Sequence, residues 1–292
     1  MKTLVDFRKF AKENSHFISI FDYLNEKEIF ENVSIMGGIN YFLYSPKYDG
    51  PVSFYNCHQS NRELQKRNLF EDGLDVVIRN GKYISIIKKV HTEDFVTFAS
   101  ITTSWDAFGI SGSKAKLEAM MSKKPFDGCV EVRCSRNEIR FIARSKLNKN
   151  VELIDKWKVF SSRANGAAGM INDKEAVAVT SPVYIGPPNT VCTETSLPFG
   201  VFDTETEAKN LKKYMETKFF RFMVGTLKTS QDLYQIVYTY VPMQDFTLKS
   251  DINWQKDISE VDVQLYKKYN LCSEEIAYIE ATIKPLDENA DD

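Results

Sequence analysis

Histidine and cysteine are scarce in this chain, and neither is arranged for chemistry. The three histidines, His16, His58 and His91, lie in the first third with no partner pattern. No Gly-x-Ser-x-Gly elbow occurs, so Ser-His catalysis finds no support. The five cysteines, at 57, 129, 134, 192 and 272, are odd in number and include no CxxC pair. Zinc-finger spacing is therefore absent and no metal is assigned. Reduced thiols in a cytoplasmic protein are the expectation. No run of about 18 apolar residues is present, which excludes a helical membrane span. The opening MKTLVDFRKFAKENSHF has scattered charge and no apolar stretch of the signal-peptide kind. Neither an internal repeat nor a low-complexity linker interrupts the 292 residues.

What the chain does have is ordinary globular composition, 43% hydrophobic and 27% charged, enough for one large or two modest domains. Aromatics reach 13%, more than a minimal core needs, so some are available for contact. The net charge of −2 argues against a protein that coats nucleic acid. The distribution is uneven, however. Residues 112–170 hold 13 Lys/Arg and 6 Asp/Glu, a local +7, which leaves −9 for the remainder. Such asymmetry allows either a solvated face or a local phosphate-facing surface. The tail DENADD reads as a solvated acidic end.

Periodicity gives the coarse organisation. Thr3 to Asn14 reads as a short helix and FISIFDY (17–23) as a strand. IMGGINYFLYSP (35–46) reads as a buried strand entered through a tight backbone approach, and it is expected to form a hairpin with the strand that follows the Asp-Gly-Pro turn within KYDGPVSFYN. Residues 60–95 read as a polar helix or loop, with a turn at Asn80-Gly81 and a strand or helix in ISIIKKV. From Phe95 to about Pro198, strands are expected in FVTFASITTSW, CVEVRC, EIRFIARS, KWKVFSS and AVAVT, separated by polar loops. SRANGAAGM (162–170) and GPPNT (186–190) read as loops. One helix is expected from Thr204, with Glu207 completing a capping box, to Lys228. Two final helices follow, ISEVDVQLYKKYN, ended by Asn270, and SEEIAYIEATIK, capped by Ser273. The expected class is α+β: an incomplete edge of an α/β sheet over 1–95, a mixed, mostly antiparallel β-rich part over 96–200, and a helical part over 201–292.

Two catalytic patterns are weak. Pro187-Pro188-Asn189 has the residues of an Asn-Pro-Pro-aromatic base-flipping loop in the wrong order and lacks the aromatic; a stiff connecting loop explains it. No glycine-rich cofactor loop follows an early strand, so this chain is not expected to bind S-adenosylmethionine by itself. Asp203 with Glu207 and Lys209 resembles a metal nuclease triad. A nuclease places those groups on neighbouring strands, whereas these share a helix start and read as capping.

A binding surface remains. Arg133, Arg136, Arg140, Arg144, Lys146 and Lys149 lie in or beside two short strands, and Arg163 and Asn165 in the glycine-bearing loop. Thr102, Thr103, Ser104 and Trp105 offer hydroxyls and an indole at a loop tip. Lys228, Thr229 and Gln231 follow the end of the long helix, where their side chains can project. Arginine suits guanine edges and Asn or Gln adenine edges, while lysine and hydroxyls suit phosphates. Ordinary surface polarity is the competing explanation for each one. Tyr234, Tyr238 and Tyr240 read as packing, and Pro242 and Asp245 as turn formers.

TETSLPFG, KYMETKFFRFMVGTLKTSQ, YTYVPMQDF, SDINW and QLYKKY resemble the C-terminal region of gamma-type adenine-N6 DNA methyltransferases of bacterial restriction–modification systems, including those fused to a restriction nuclease. FRKF and FDYLNEKEIFENVSIMGGINYFLYSPKYDG resemble the segment where that family closes its catalytic sheet. SITTSWDAFG and KWKVFSSRANGAAG resemble positions within its target-recognition domain. The family's cofactor glycine motif and Asn-Pro-Pro-aromatic loop lie upstream of the resembling region, and its nuclease residues are missing here. The resemblance therefore implies sequence-specific recognition of double-stranded DNA, read by loops near 102–109 and 161–169. Methyl transfer, with its S-adenosylmethionine, would belong to a catalytic partner domain or subunit. Two other readings stand beside it: a restriction endonuclease or methyltransferase subunit with an unrecognised catalytic site, and an interaction protein whose N-terminal sheet edge docks a partner.

Overall fold

The computed structural model describes residues 5–33, 35, 37–135, 138–164, 171 and 175–286. The chain is α+β, with mixed and antiparallel sheets, and divides into two compact units, Met1–Lys88 and Lys89–Asp292.

In the first unit, α1 (Val5–Glu13) precedes β1 (Phe17–Tyr23), β2 (Ile39–Tyr44), β3 (Val52–His58) and β4 (Asn61–Arg67), before α2 (Lys82–Val90), in which the division falls. The sheet order is β2-β1-β3-β4. β1 is antiparallel to β2 and parallel to β3. The expected β2–β3 hairpin is therefore not formed: β1 lies between them. The reason is local. The link after β2 is tied to the start of β1, with Ser45 N–H donating to His16 O at 3.1 Å and His16 Nδ1 2.6 Å from Tyr48 O. That carries the chain across β1 to its other side. β3 pairs instead with β4, in the stretch expected to be helix or loop.

β2 is also not buried. It is an outer strand, with Tyr41, Phe42 and Leu43 exposed. The tight approach before it is real: Gly38 has φ +77°, and a Cβ there would sit 2.2 Å from Tyr23 O. Ala11, Phe17, Ile20, Val52, Phe54 and Leu69 form the core of this unit. ISIIKKV resolves as helix, within α2.

The second unit contains α3 (Lys114–Met120), β5 (Cys129–Arg133), β6 (Ile139–Ala143), β7 (Trp157–Ser162), β8 (Val183–Gly186), β9 (Thr190–Cys192), β10 (Ser196–Phe202), α4 (Glu205–Glu216), α5 (Lys218–Gly225), α6 (Ile258–Lys268) and α7 (Ser273–Thr282). Its sheets run β10-β7-β8 and β6-β5-β9. Two expected strands are absent. Phe98–Ile101 is a 3-10 turn, because Thr97 Oγ1 accepts from Ala99 N–H at 3.1 Å and Phe98 is drawn among the rings of Phe199, Tyr214, Phe220 and Tyr238. AVAVT contributes one isolated bridge, Val177 with Ile283.

The long helix expected from Thr204 is two helices. Its start is as read: Glu207 N–H donates to Thr204 Oγ1 at 3.3 Å, and that hydroxyl donates to Glu207 Oε2 at 2.6 Å. The break comes at Thr217, extended at ψ 151°. There the first amides of α5 are satisfied from outside the helix. Lys218 and Phe219 N–H donate to the two Asp262 oxygens at 2.9 and 2.8 Å, and Phe220 N–H to Thr217 Oγ1 at 3.1 Å. The residues from Phe219 to Gly225 are all buried. Among them is Arg221, which donates to Lys284 O at 2.6 Å and Thr217 O at 3.2 Å. In α7 the cap is Cys272 rather than Ser273; its N–H donates to Glu275 at 2.8 Å.

Asp262→Ala removes both acceptors at a buried helix start. It should cost roughly 2–3 kcal/mol, with Tm falling about 2–4 °C per kcal/mol in a thermal melt. Burial raises the Asp262 carboxyl from 3.8 to about 6. Between those values the folded chain holds a proton that the unfolded chain has released, so this group makes stability decline as pH rises from 3.8 to about 6. The variant should lose that slope.

Candidate functional site

Three segments far apart in sequence meet on the second unit. The first, 102–105, is pinned to β10: Thr103 Oγ1 donates to Pro198 O at 3.0 Å, and Thr102 bridges Phe199. The loop beyond it is fixed from behind. Lys149 Nζ donates to Asp106 Oδ2 at 2.7 Å, and Asn150 Nδ2 to Ala107 O at 2.6 Å. Ser104 and Trp105 are thereby left outside, with Trp105 48% exposed.

The second segment continues β7. Arg163 N–H donates to Thr195 O at 2.9 Å, and the guanidinium lies 5.8 Å from the centre of the Trp105 ring, within cation–π range. Its Nε is buried and, among the described residues, has no hydrogen-bond acceptor. The third segment follows α5. Leu233 N–H donates to Arg163 O at 2.7 Å, and Asp232 bridges Ala164. Tyr234, 46% exposed, donates to Asp232 Oδ2 at 3.1 Å. Desolvation and the Asp232 carboxylate push the Tyr234 phenol up, while the Arg163 charge pulls the other way. Gln235 closes the cluster by donating to Ala99 O at 2.9 Å. The result is a surface with an indole, a guanidinium, a carboxylate and a phenol side by side.

The other residues singled out in the sequence fall in several places. Thr102 is buried, its hydroxyl donating to Phe98 O at 3.4 Å. Thr229 is half-buried and Gln231 exposed. Arg133 packs its guanidinium 4.6 Å from the Tyr184 ring, and its carbonyl accepts from Thr193. Thr193 Oγ1 is 2.8 Å from Thr195 Oγ1, so a short path joins Arg133 to Arg163. Arg144 lies at the opposite end of the β5–β6 pair, held by both oxygens of Asp155 at 2.7 and 2.6 Å. Lys146 is exposed beside it, and Arg140 pairs with Glu138. Arg136 and Asn165 lie outside the described residues.

Lys228 does not project from the end of the helix. It is 4% exposed, and its ammonium donates to Val179 O at 2.7 Å. The chain turns inward there because α5 is enclosed, so the lysine fixes a loop rather than facing solvent. Asp232 and Gln235 were not among the residues singled out, and Tyr234, expected to pack, is instead exposed. The polar run 228–232 marked their neighbourhood, but the 3-10 turn Gln235–Tyr238 that turns Tyr234 outward has no strong local signal.

The two weak catalytic patterns have structural roles. Asn189, at φ +63°, donates to Cys129 O at 3.1 Å, and the buried Lys158 ammonium donates to Pro187 O at 3.3 Å. Asp203 pairs with Lys156, and Lys209 with Glu205 at 2.9 Å. No group of three or more His, Cys, Asp or Glu suited to a metal occurs among the described residues, nor is any helix there long and apolar enough to cross a membrane.

No family model and no curated protein matches the chain. Among solved structures, a similar one is that of the type IIG restriction endonuclease BpuSI, at 14% identity and a TM-score of 0.34, over 94% of this chain and 43% of that one. The chain spans less than half of that enzyme's length.

Burial pulls the Lys228 ammonium down to about 8 from 10.5. Between those values the unfolded chain keeps a proton that the folded chain has lost, so this group makes stability rise with pH over that interval and costs stability below it. Lys228→Met should flatten that rise in pH-dependent denaturant melts.

Proposed function

We propose that the chain is a target-recognition module that binds double-stranded DNA, working beside a methyltransferase catalytic domain or subunit of a restriction–modification system. The observation that carries this reading is the convergence of Trp105, Arg163 and the 231–235 segment on one exposed surface. Leu233 anchors the segment in the core, whereas Trp105 and Tyr234 are exposed and Arg163 and Asp232 half-buried, with Arg163 and Asp232 held by backbone pairing and Trp105 by ring contact. Base readout requires this combination of rigid planar donors and acceptors on a fixed scaffold. The sequence resemblance to the recognition region of adenine-N6 methyltransferases supports the same reading. Lys116, Lys123, Lys124 and Lys146, all exposed on the basic segment, supply groups suited to phosphates. S-adenosylmethionine would then be bound by the partner.

The test is fluorescence anisotropy of the full chain with a duplex of mixed sequence over a range of salt. Affinity should fall steeply as salt rises, and Lys123→Ala and Lys146→Ala should each reduce the slope of log affinity against log salt by about 1. If no duplex is bound at about 50 mM salt, even with a methyltransferase domain of this family added, the reading fails.

A further inference from the structure

Resting on that reading, we propose that Arg163 recognises guanine through O6 and N7 in the major groove, while Asp232 accepts from the N4 amino group of the paired cytosine. Trp105 is the positioning residue that holds the arginine in register.

Arg144 spends its fork on Asp155, and Arg79 spends its own on Asp22 at 2.7 Å. Among the described residues no carboxylate pairs with Arg163, and its Nε has no acceptor. Nε is enclosed, so a base edge would meet the terminal Nη groups of the fork rather than Nε. The side chain is nonetheless not loose, because the indole lies against it. A guanidinium fixed in this way presents parallel in-plane donors, the geometry that matches two acceptors on one base edge.

Charge then separates a base from a phosphate. Asp232 sits on the segment that pairs with Arg163 and Ala164. Its carboxylate leaves the patch close to neutral, which disfavours a phosphate and suits an uncharged base edge. A carboxylate also accepts from the cytosine amino group, which adjoins guanine O6 across the pair. Tyr234 donates to Asp232 Oδ2, orienting the carboxylate and leaving its other oxygen for that amino group. One pair of side chains thus matches one G·C base pair.

The full chain, wild type and variants, is used to select from a pool of randomised duplexes, and the enriched duplexes are remade with 7-deazaguanine, which lacks N7. The wild-type motif should contain a guanine whose 7-deaza replacement weakens binding roughly 5- to 150-fold, the range given by a bidentate base contact. Arg163→Ala should abolish the preference at that one pair and make the replacement silent. Arg163→Lys and Asp232→Asn should relax the same pair. Trp105→Ala should do so too, with Trp105→Phe restoring it, which a merely structural tryptophan would not do. A motif without guanine, silent 7-deaza replacements throughout the wild-type motif, or an Arg163→Ala protein that remains sensitive to the replacement would overturn the assignment while leaving duplex binding intact. Failure to bind any duplex would overturn both. The 7-deaza arm uses wild-type protein, so it decides the question even where a variant does not fold.

Discussion

The second unit is organised around the buried start of α5. A helix placed where water cannot reach needs acceptors for its first amides, and here Asp262 and Thr217 provide them. Asp262 comes from α6, so the capping interaction is also the tie between two helices. Charge is managed in the same place. Arg221, hardly exposed, sits near Asp262, and burial draws it down to about 10 from 12.5. Its donors are taken by carbonyls of Thr217 and Lys284. A buried charge with satisfied donors is tolerable, whereas one stripped of its partners is not.

What the start of α5 fixes, its end passes on. Gly225 lies where a Cβ would meet Ile171 at 2.5 Å, so the last turn can pack closely. Lys228 then ties the following residues to Val179. The chain emerges at 231–235 in a defined place and direction, beside Arg163. The candidate surface therefore depends on a core helix that none of its exposed residues touch through a side-chain hydrogen bond. Precision at such a surface comes from rigid elements behind it.

Elements set by local signals were legible in the sequence. β1, β5, β6 and β7 follow from β-branched and aromatic runs, and the Thr204–Glu207 cap from a four-residue pattern. Features set by distant partners were not. The α4–α5 break depends on a carboxylate more than forty positions away. The place of β1 between β2 and β3 depends on anchors at His16. Lys228 looked exposed because polar residues surround it, and only the enclosure of α5 makes it internal. The candidate surface was legible in pieces: Trp105 and Arg163 stood out separately by residue type, but their proximity is a tertiary fact. Asp232 lay in a polar run that reads as a turn, and Tyr234 among tyrosines that mostly do pack, as Tyr238 and Tyr240 show.

The two outer strands of the first unit's sheet are unlike. β4 carries Arg62, Glu63, Lys66 and Arg67, whereas β2, INYFLY, has no charge and three exposed apolar side chains. Charged borders discourage a stray strand from adding on, and bare ones invite it. With no described strand paired along its outer side, β2 would let concentrated solutions of the protein grow sticky by main-chain zippering, and a single lysine written into the middle of that strand is the cheapest remedy.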